Sequence, residues 1–304
     1  VAVWDPGPEE GRPRSHVPLE VHAFDSRTYI LRENLAVTWE APIMYLLVGN
    51  TRALLIDTGD VVDPRRMPLA STVLSLLPGK GEARLPLLVM HTHGHLDHRL
   101  GDRQFDHQPR VEVVPADLPS LKLRFGLADW PEGAASVDLG DRIIDLLPSP
   151  GHHPAHIVFY DRHSGLLFSG DFLLPGRLLV EDLAAYRDSA RRVAEFVKER
   201  PVSQVLGAHI EKNRQGGLFP WRSSHHPEES PLALTKADVL SLPAALQAFN
   251  GFYTESGPYV IENSLHILIA AVGVSLALLL GTGGLMYHFI RRRGRRRLGR
   301  PRLG

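Results

Sequence analysis

Apolar positions along this chain change their spacing several times, and each change marks an element. Short apolar runs at 28–31, 36–39, 44–48 and 53–56 are separated by the turn signals Glu33-Asn34, Ala41-Pro42 and Gly49-Asn50, and predict strands. A helix is predicted over 69–77, closed by Pro78-Gly79, and the continuous apolar run 87–90 predicts a buried strand. Strand 111–114, helix 117–125 and strands near 142–147, 157–160 and 166–169 follow. The longest helical pattern covers 181–199, with Leu183, Ala184, Val193, Ala194 and Val197 on one broad face. Strand 202–206, a loop rich in Gly, Pro and His, and a helix over 235–249 with Thr235 as N-cap complete the pattern. Strand runs followed by mixed strands and helices predict a layered α/β domain over 19–250. Residues 1–18, rich in Pro, Gly and charge, read as a flexible leader, and 251–264 as a linker.

Beyond the linker the polar positions disappear. No Asp, Glu, Lys or Arg occurs from 263 to 290, and the apolar stretch 265–290 exceeds the roughly 20 residues that span a bilayer as a helix. Tyr287 and Phe289 suit the lipid–water interface, and the stretch 291–304 that follows holds eight Arg and no acid. These features predict a transmembrane helix over 265–290 in contact with a lipid bilayer, and a basic tail over 291–304 that stays cytoplasmic. The body is then expected outside the cytoplasm. That placement needs an export signal, and the chain opens Val1-Ala-Val-Trp-Asp without one, so either a signal peptide has been removed or the chain is truncated.

Composition narrows the function classes. The 304 residues are 43% apolar and 22% charged, which excludes disorder of the whole chain. Cysteine is absent, which removes disulfides, cysteine-ligated zinc, iron–sulfur clusters and a thiol nucleophile. Basic and acidic residues balance at 34 each, but eight of the basic ones sit in the tail, leaving 26 against 34 and a body of net charge −8. A body of that sign argues against nucleic acid as partner.

The chemistry concentrates behind the apolar run 87–90. His91-Thr-His-Gly-His-Leu-Asp-His98 packs four His and one Asp into eight residues. Clustered imidazole and carboxylate at a strand end is the signature of a transition-metal site, with zinc favoured and iron or manganese compatible. A solvated His-rich loop would not need a buried strand in front of it.

Thr92-His93-Gly94-His95-Leu96-Asp97-His98 resembles the His-x-His-x-Asp-His motif of the metallo-β-lactamase superfamily. Four further segments resemble that family's other motifs in order. They are Leu54-Leu-Ile-Asp-Thr-Gly59, Ser149-Pro-Gly-His152, Phe168-Ser-Gly-Asp171 and Leu206-Gly-Ala-His209. The resemblance covers roughly 28–212 and implies a four-layer αβ/βα sandwich with its metal site at one edge, followed here by the transmembrane helix. It implies one metal on His93, His95 and His152, a second on Asp97, His98 and His209, and Asp171 shared between them. Asp97 and Asp171 would be the catalytic carboxylates and two zinc ions the cofactors. A metal-bridging hydroxide would attack an ester, thioester or lactone carbonyl of a small-molecule substrate.

Departures from other branches sharpen this expectation. Asp171, in a chain without Cys, differs from β-lactamases that use a Cys ligand and resembles the glyoxalase II, lactonase, arylsulfatase-like and ribonuclease Z-like branches. His95 stands where flavo-diiron proteins have Glu. His209 follows Asp171 by only 38 positions, too few for the inserted domain of nucleic-acid-processing members. Two alternatives stay open: a mononuclear iron oxidoreductase resembling persulfide dioxygenases, on His93, His152 and Asp171, and a non-catalytic metal-binding module.

The other polar residues receive plainer expectations. Asp57 is expected to orient the metal loop, and His156 to make a structural hydrogen bond. His91 and His153 are out of pattern, His225 and His226 solvated. Arg177, Lys212 and Arg214 are solvated by default, with a substrate anion as the alternative, and Tyr186 is packed.

Overall fold

The structure, a computed structural model, describes residues 3–9, 16–263, 265, 266, 268, 269 and 272. Contacts divide the chain into two units at Glu262, and the sheets, helices and site below belong to the first.

Six strands form the first sheet in chain order: β1 (Leu19–Asp25), β2 (Thr28–Glu33), β3 (Ile43–Val48), β4 (Ala53–Ile56), β5 (Leu87–Met90) and β6 (Val111–Val113). β1 to β4 pair antiparallel, whereas β4, β5 and β6 pair in parallel. The parallel pairs need crossovers. α1 (Leu69–Leu76) lies on the first, and α2 (Leu118–Phe125), N-capped by Asp117 and closed by Gly126 at φ 66°, follows β6. The second sheet contains β7 (Ala135–Asp138), β8 (Ile143–Pro148), β9 (Ile157–Asp161), β10 (Leu166–Gly170), β12 (Gln204–Gly207) and β13 (Ala233–Leu234), side by side in that order. β11 (Arg177–Leu179), β14 (Tyr253–Ser256) and β15 (Tyr259–Glu262) make a small third sheet. α3 (Leu183–Lys198) and α4 (Lys236–Ala248) are capped by Asp182 and by a capping box of Thr235 and Asp238.

The period-two alternation of each central strand sorts its side chains between two cores. Leu54 and Ile56, Leu88 and Met90, Ile157 and Phe159, and Leu166 and Phe168 meet in the core between the sheets. Ala53, Leu55, Leu87 and Val89 face α1 instead, while Val158, Tyr160, Leu167 and Val205 face α3 and α4. Both faces are covered, which is why 53–56 and 87–90 read as unbroken apolar runs. The layers are therefore helix, sheet, sheet, helix, as the motifs imply. Backbone bonds tie the sheets at the site end, Ile157 N–H to the Thr92 carbonyl at 2.7 Å and Ile43 N–H to that of Ala208 at 2.8 Å. At the opposite strand ends the buried Arg142 donates to Asp161 at 2.6 Å and to Thr28 Oγ1 at 2.8 Å.

Several expectations differ from the structure. Residues 36–39 form turns and a bend, not a strand, because the backbone there leaves the sheet to reach the site. Residues 251–264, expected as a linker, contain the hairpin β14–β15, whose second strand pairs in parallel with β11. Residues 3–9, expected as leader, lie against the domain: Trp4 is buried in the central core and Asp5 N–H bonds Glu20 at 3.0 Å. The expected membrane helix 265–290 falls outside the described residues except at the five positions stated. Among the described residues no helix is long and apolar enough to cross a membrane.

Candidate metal centre

All the motif residues leave the same edge of the sandwich. Asp57 follows β4, residues 91–98 follow β5, His152 follows β8, Asp171 follows β10 and His209 follows β12. β4 and β5 run parallel, as do β10 and β12, and β8 shares the direction of β10 because both are antiparallel to β9. The carboxyl ends of these strands therefore converge, which is where open α/β sheets collect functional groups. Close backbone approach makes this possible. A Cβ on Gly170, at φ 52°, would lie 2.6 Å from Thr92, and one on Gly151, at φ 146°, would lie 2.4 Å from Tyr186.

Three ring nitrogens form the first cluster. His93 Nε2 lies 2.9 Å from His95 Nδ1, and His152 Nε2 lies 3.2 Å and 3.0 Å from the same two atoms. Bonds of 2.0–2.1 Å in a tetrahedral shell place nitrogens about 3.3 Å apart, close to this triangle. Burial and the neighbouring imidazoles hold His93 well below its ordinary pKa. Burial also lowers His152, against the pull of Asp171. These rings are neutral, as metal ligands must be.

The second cluster mixes imidazole and carboxylate. Asp97 Oδ2 lies 3.3 Å from His98 Nε2 and 3.4 Å from His209 Nε2. Asp171 stands between the clusters, with Oδ1 at 3.6 Å from His98 and 3.5 Å from His209, and Oδ2 at 3.5 Å from His152. His98 Nε2 and Asp171 Oδ1 are both buried without a hydrogen-bond partner. Buried polar atoms are almost always satisfied, so these two are aimed at a ligand. Burial opposes charge on His98 and His209, but the carboxylates override it, raising His98 and pushing His209 up to about 10. In turn the imidazoles hold Asp97 and Asp171 below the usual carboxylate range despite burial. Three ligand sets can be drawn: His93, His95 and His152; Asp97, His98 and His209; and His93, His98 and Asp171, which spans the two. The seven residues singled out by the motifs thus converge, and the donor set fits divalent cations at both positions.

A second layer fixes which nitrogen each ring offers. Asp57 accepts from Thr92 N–H at 2.7 Å and Thr92 Oγ1 at 2.9 Å, and its Oδ2 lies 3.0 Å from His98 Nδ1. Its backbone has φ 66°, a left-handed conformation that Asp tolerates better than most residues. His209 Nδ1 donates to the Glu40 carbonyl at 2.8 Å, and His152 Nδ1 to that of Leu179 at 3.0 Å. Glu40 and Leu179 carry no sequence signal for this role, because a carbonyl is available at every position. His95 Nε2 meets Glu181 at 3.1 Å.

Elsewhere, His91 is buried and turned away from both clusters, its Nε2 2.8 Å from Asp102. His156 is buried with Nδ1 2.8 Å from Ser149 Oγ, and His153 edges onto the ring of His95 with centroids 5.0 Å apart. Tyr186 is packed, its hydroxyl donating to the Phe172 carbonyl at 2.5 Å. The solvated reading fails for three residues. His226 is buried and stacked on Phe219 at 4.0 Å, because the loop carrying it folds back on the domain. Arg177 pairs with Glu211 at 3.1 Å, and Lys212 is buried with Nζ donating to the Gly257 carbonyl at 3.1 Å. Arg214 stays exposed.

A family model described as the metallo-beta-lactamase superfamily matches residues 37–209. Over 237 residues the chain is 28% identical to the acyl-coenzyme A thioesterase MBLAC2 of Gallus gallus, covering 64% of this chain and 80% of that protein. Over 120 residues it is 34% identical to a hydroxyacylglutathione hydrolase of Synechococcus sp., covering 39% of this chain and 45% of that one. A solved metallo-beta-lactamase from Pontibacter korlensis aligns with a TM-score of 0.49 at 16% identity, over 76% of this chain and 100% of its own.

Proposed function

The chain belongs to the metallo-beta-lactamase superfamily, and from that premise we propose that it is a metal-dependent hydrolase of small acyl compounds with an ester, thioester or lactone carbonyl. Thioesters are the class to test first, since an acyl-coenzyme A thioesterase is among its relatives. His93, His95 and His152 would hold one cation, Asp97, His98 and His209 a second, and Asp171 would touch both. The observation that carries this reading is Asp171 with one oxygen toward each cluster, one of them buried and unpartnered. Two zinc ions fit the donor set. When bound, they supply Lewis acidity that polarises an acyl carbonyl and lowers the pKa of water.

The residues of the chain do the rest. Asp57 holds His98 with Nε2 facing inward, and the Glu40 carbonyl does the same for His209. Before a cation binds, the surrounding imidazoles hold Asp97 and Asp171 ionised despite burial, which is the form in which a carboxylate offers its oxygens to a metal. The mononuclear oxidoreductase alternative would leave the converged set of Asp97, His98 and His209 without a metal to hold, whereas a non-catalytic metal-binding module would use it and is separated from the hydrolase by turnover alone. Metal analysis of the purified chain, coupled to a panel of esters, thioesters, lactones and β-lactams, tests the proposal. About two equivalents of zinc with thioester hydrolysis is expected; one iron with oxygen consumption would overturn it.

We further infer that residues 265–290 anchor the enzyme in a bilayer, with the catalytic domain extracytoplasmic and the Arg-rich tail inside. Support comes from the charge-free apolar length and the eight Arg beyond it. Protease added to intact cells or spheroplasts should digest the metal domain. Protection of that domain with digestion of the tail would reverse the topology.

A further inference from the structure

A wall of aromatic and cationic side chains stands beside the second cluster. His209 shares a shallow hollow of about 20 Å³ with Trp39, Glu40, Arg177, Glu211, Trp221 and Arg222, so a ligand larger than water would lie across its exposed rim. Trp39 and Trp221 meet edge to face with ring centroids 6.2 Å apart. Each ring is covered by a guanidinium: Arg177 lies 4.6 Å from the Trp221 centroid and Arg222 5.9 Å from that of Trp39. The two arginines differ in their company. Arg177 is buried, bound to Glu211 at 3.1 Å and to the Phe219 carbonyl at 2.7 Å, with Glu262 at 3.9 Å. Arg222 is exposed, and among the described residues it pairs with no carboxylate. Its guanidinium therefore stands at the rim without a direct ion pair, in a hollow that Glu40 and Glu211 also line.

The local backbone is built to present this pair. Ser223 N–H bonds the Pro220 carbonyl at 3.0 Å, closing a tight turn, and Arg222 sits at φ 62°. A non-glycine residue held in the left-handed region stores strain that the surroundings must maintain, and such outliers gather at ligand clamps. The surroundings here are firm: Phe219 stacks on His226 and Phe219 N–H bonds the Glu211 carbonyl at 2.8 Å. Trp221 remains 49% exposed, so part of its ring is open to a ligand.

We propose that the Trp39–Trp221–Arg222 wall is a recognition subsite for the planar, negatively charged part of the substrate. The indoles offer flat apolar area with little rotamer freedom to lose. Arg222 offers the charge, which matters because the body around the site carries −8 and repels anions at long range. The subsite sits beside His209, so an anion held there leaves an adjoining acyl group next to the proposed metal centre. The inference deepens the hydrolase reading and rests on it for that last step.

Binding and turnover test it separately. Naphthalene-2-sulfonate and the uncharged naphthalene-2-methanol are titrated into the metal-free full chain by calorimetry. The sulfonate should bind more tightly than the alcohol, and Arg222→Glu or Arg222→Gln should weaken it about tenfold, corresponding to about 1.4 kcal/mol. Trp221→Ala should weaken both ligands, and Trp221→Phe should largely restore them. In the zinc-loaded chain, the kcat/KM ratio for the S-acetyl ester of 4-mercaptobenzoate over that of 4-methylthiophenol should fall about tenfold in Arg222→Glu. Equal binding of the two naphthalenes, or sulfonate binding unchanged in both Arg222 variants, overturns the subsite. Preferential sulfonate binding that depends on Arg222, in a chain that hydrolyses no acyl compound, leaves the subsite standing and overturns the hydrolase.

Discussion

The two clusters lie side by side and yet present opposite electrostatics. Around His93, His95 and His152 imidazoles predominate, with Glu181 on His95 and Asp171 on His152, and burial holds His93 and His152 below the ordinary imidazole range. Around His98 and His209 the neighbours are Asp97, Asp171 and Asp57, which draw protons onto the rings. His93 and His152 therefore meet a cation without first giving up a proton. The second cluster must release protons as a cation replaces them, so its affinity should depend more steeply on pH. One site is shaped chiefly by desolvation, the other by ion pairing, and Asp171 joins them.

Four changes probe that contrast, in falling order of effect. Asp171→Ala removes the carboxylate that faces both clusters. Bound metal and hydrolysis should fall together, by more than the roughly 10–100-fold typical of outer-layer residues. Two retained equivalents with normal turnover would end the idea of a shared carboxylate. Asp57→Asn acts on one side only, since Asp57 reaches His98 but no first-cluster ring directly. Metal titration should show the weaker site losing about 10–100-fold in affinity while the tighter one changes little. Equal weakening at both would show that the clusters are not separable.

The third change concerns stability on the carboxylate side. Glu33 is fully buried beneath the loop that follows Asp57, and accepts the Asp60 N–H at 3.0 Å. Burial pushes its pKa from 4.5 up to about 8, with the charges of Asp60 and Asp97 adding to the rise. Between those values the folded chain holds a proton that the unfolded chain has lost. Stability therefore falls as pH rises through this window. Glu33→Gln keeps the acceptor and cannot ionise. Its thermal midpoint should exceed that of the parent at pH 8.5 and match it near pH 5; identical pH profiles would refute the assignment. The smallest effect is expected from His91→Ala. That ring is buried on Asp102, so both metal equivalents should remain and only stability should drop. Loss of one equivalent would mean that the motif register is shifted.

Much of this protein was legible in its sequence. Runs 53–56 and 87–90 coincide with β4 and β5, and the Thr235 cap starts α4, because local periodicity and capping chemistry act over a few neighbouring residues. The donor types and their order in the chain were readable as well. The turn at 36–39, the hairpin β14–β15 and the docked Trp4 were not, since each depends on partners far away in the chain. The same holds within the site. The sequence determined that imidazoles and carboxylates would follow strand ends. Only tertiary structure decided that two clusters would form with opposite charge states, that the Glu40 carbonyl would orient His209, and that Trp39 and Trp221 would meet beside it. Charge state, orientation and neighbourhood depend on burial and through-space distance, and these exist only once strands remote in sequence have been brought to one edge of the sandwich.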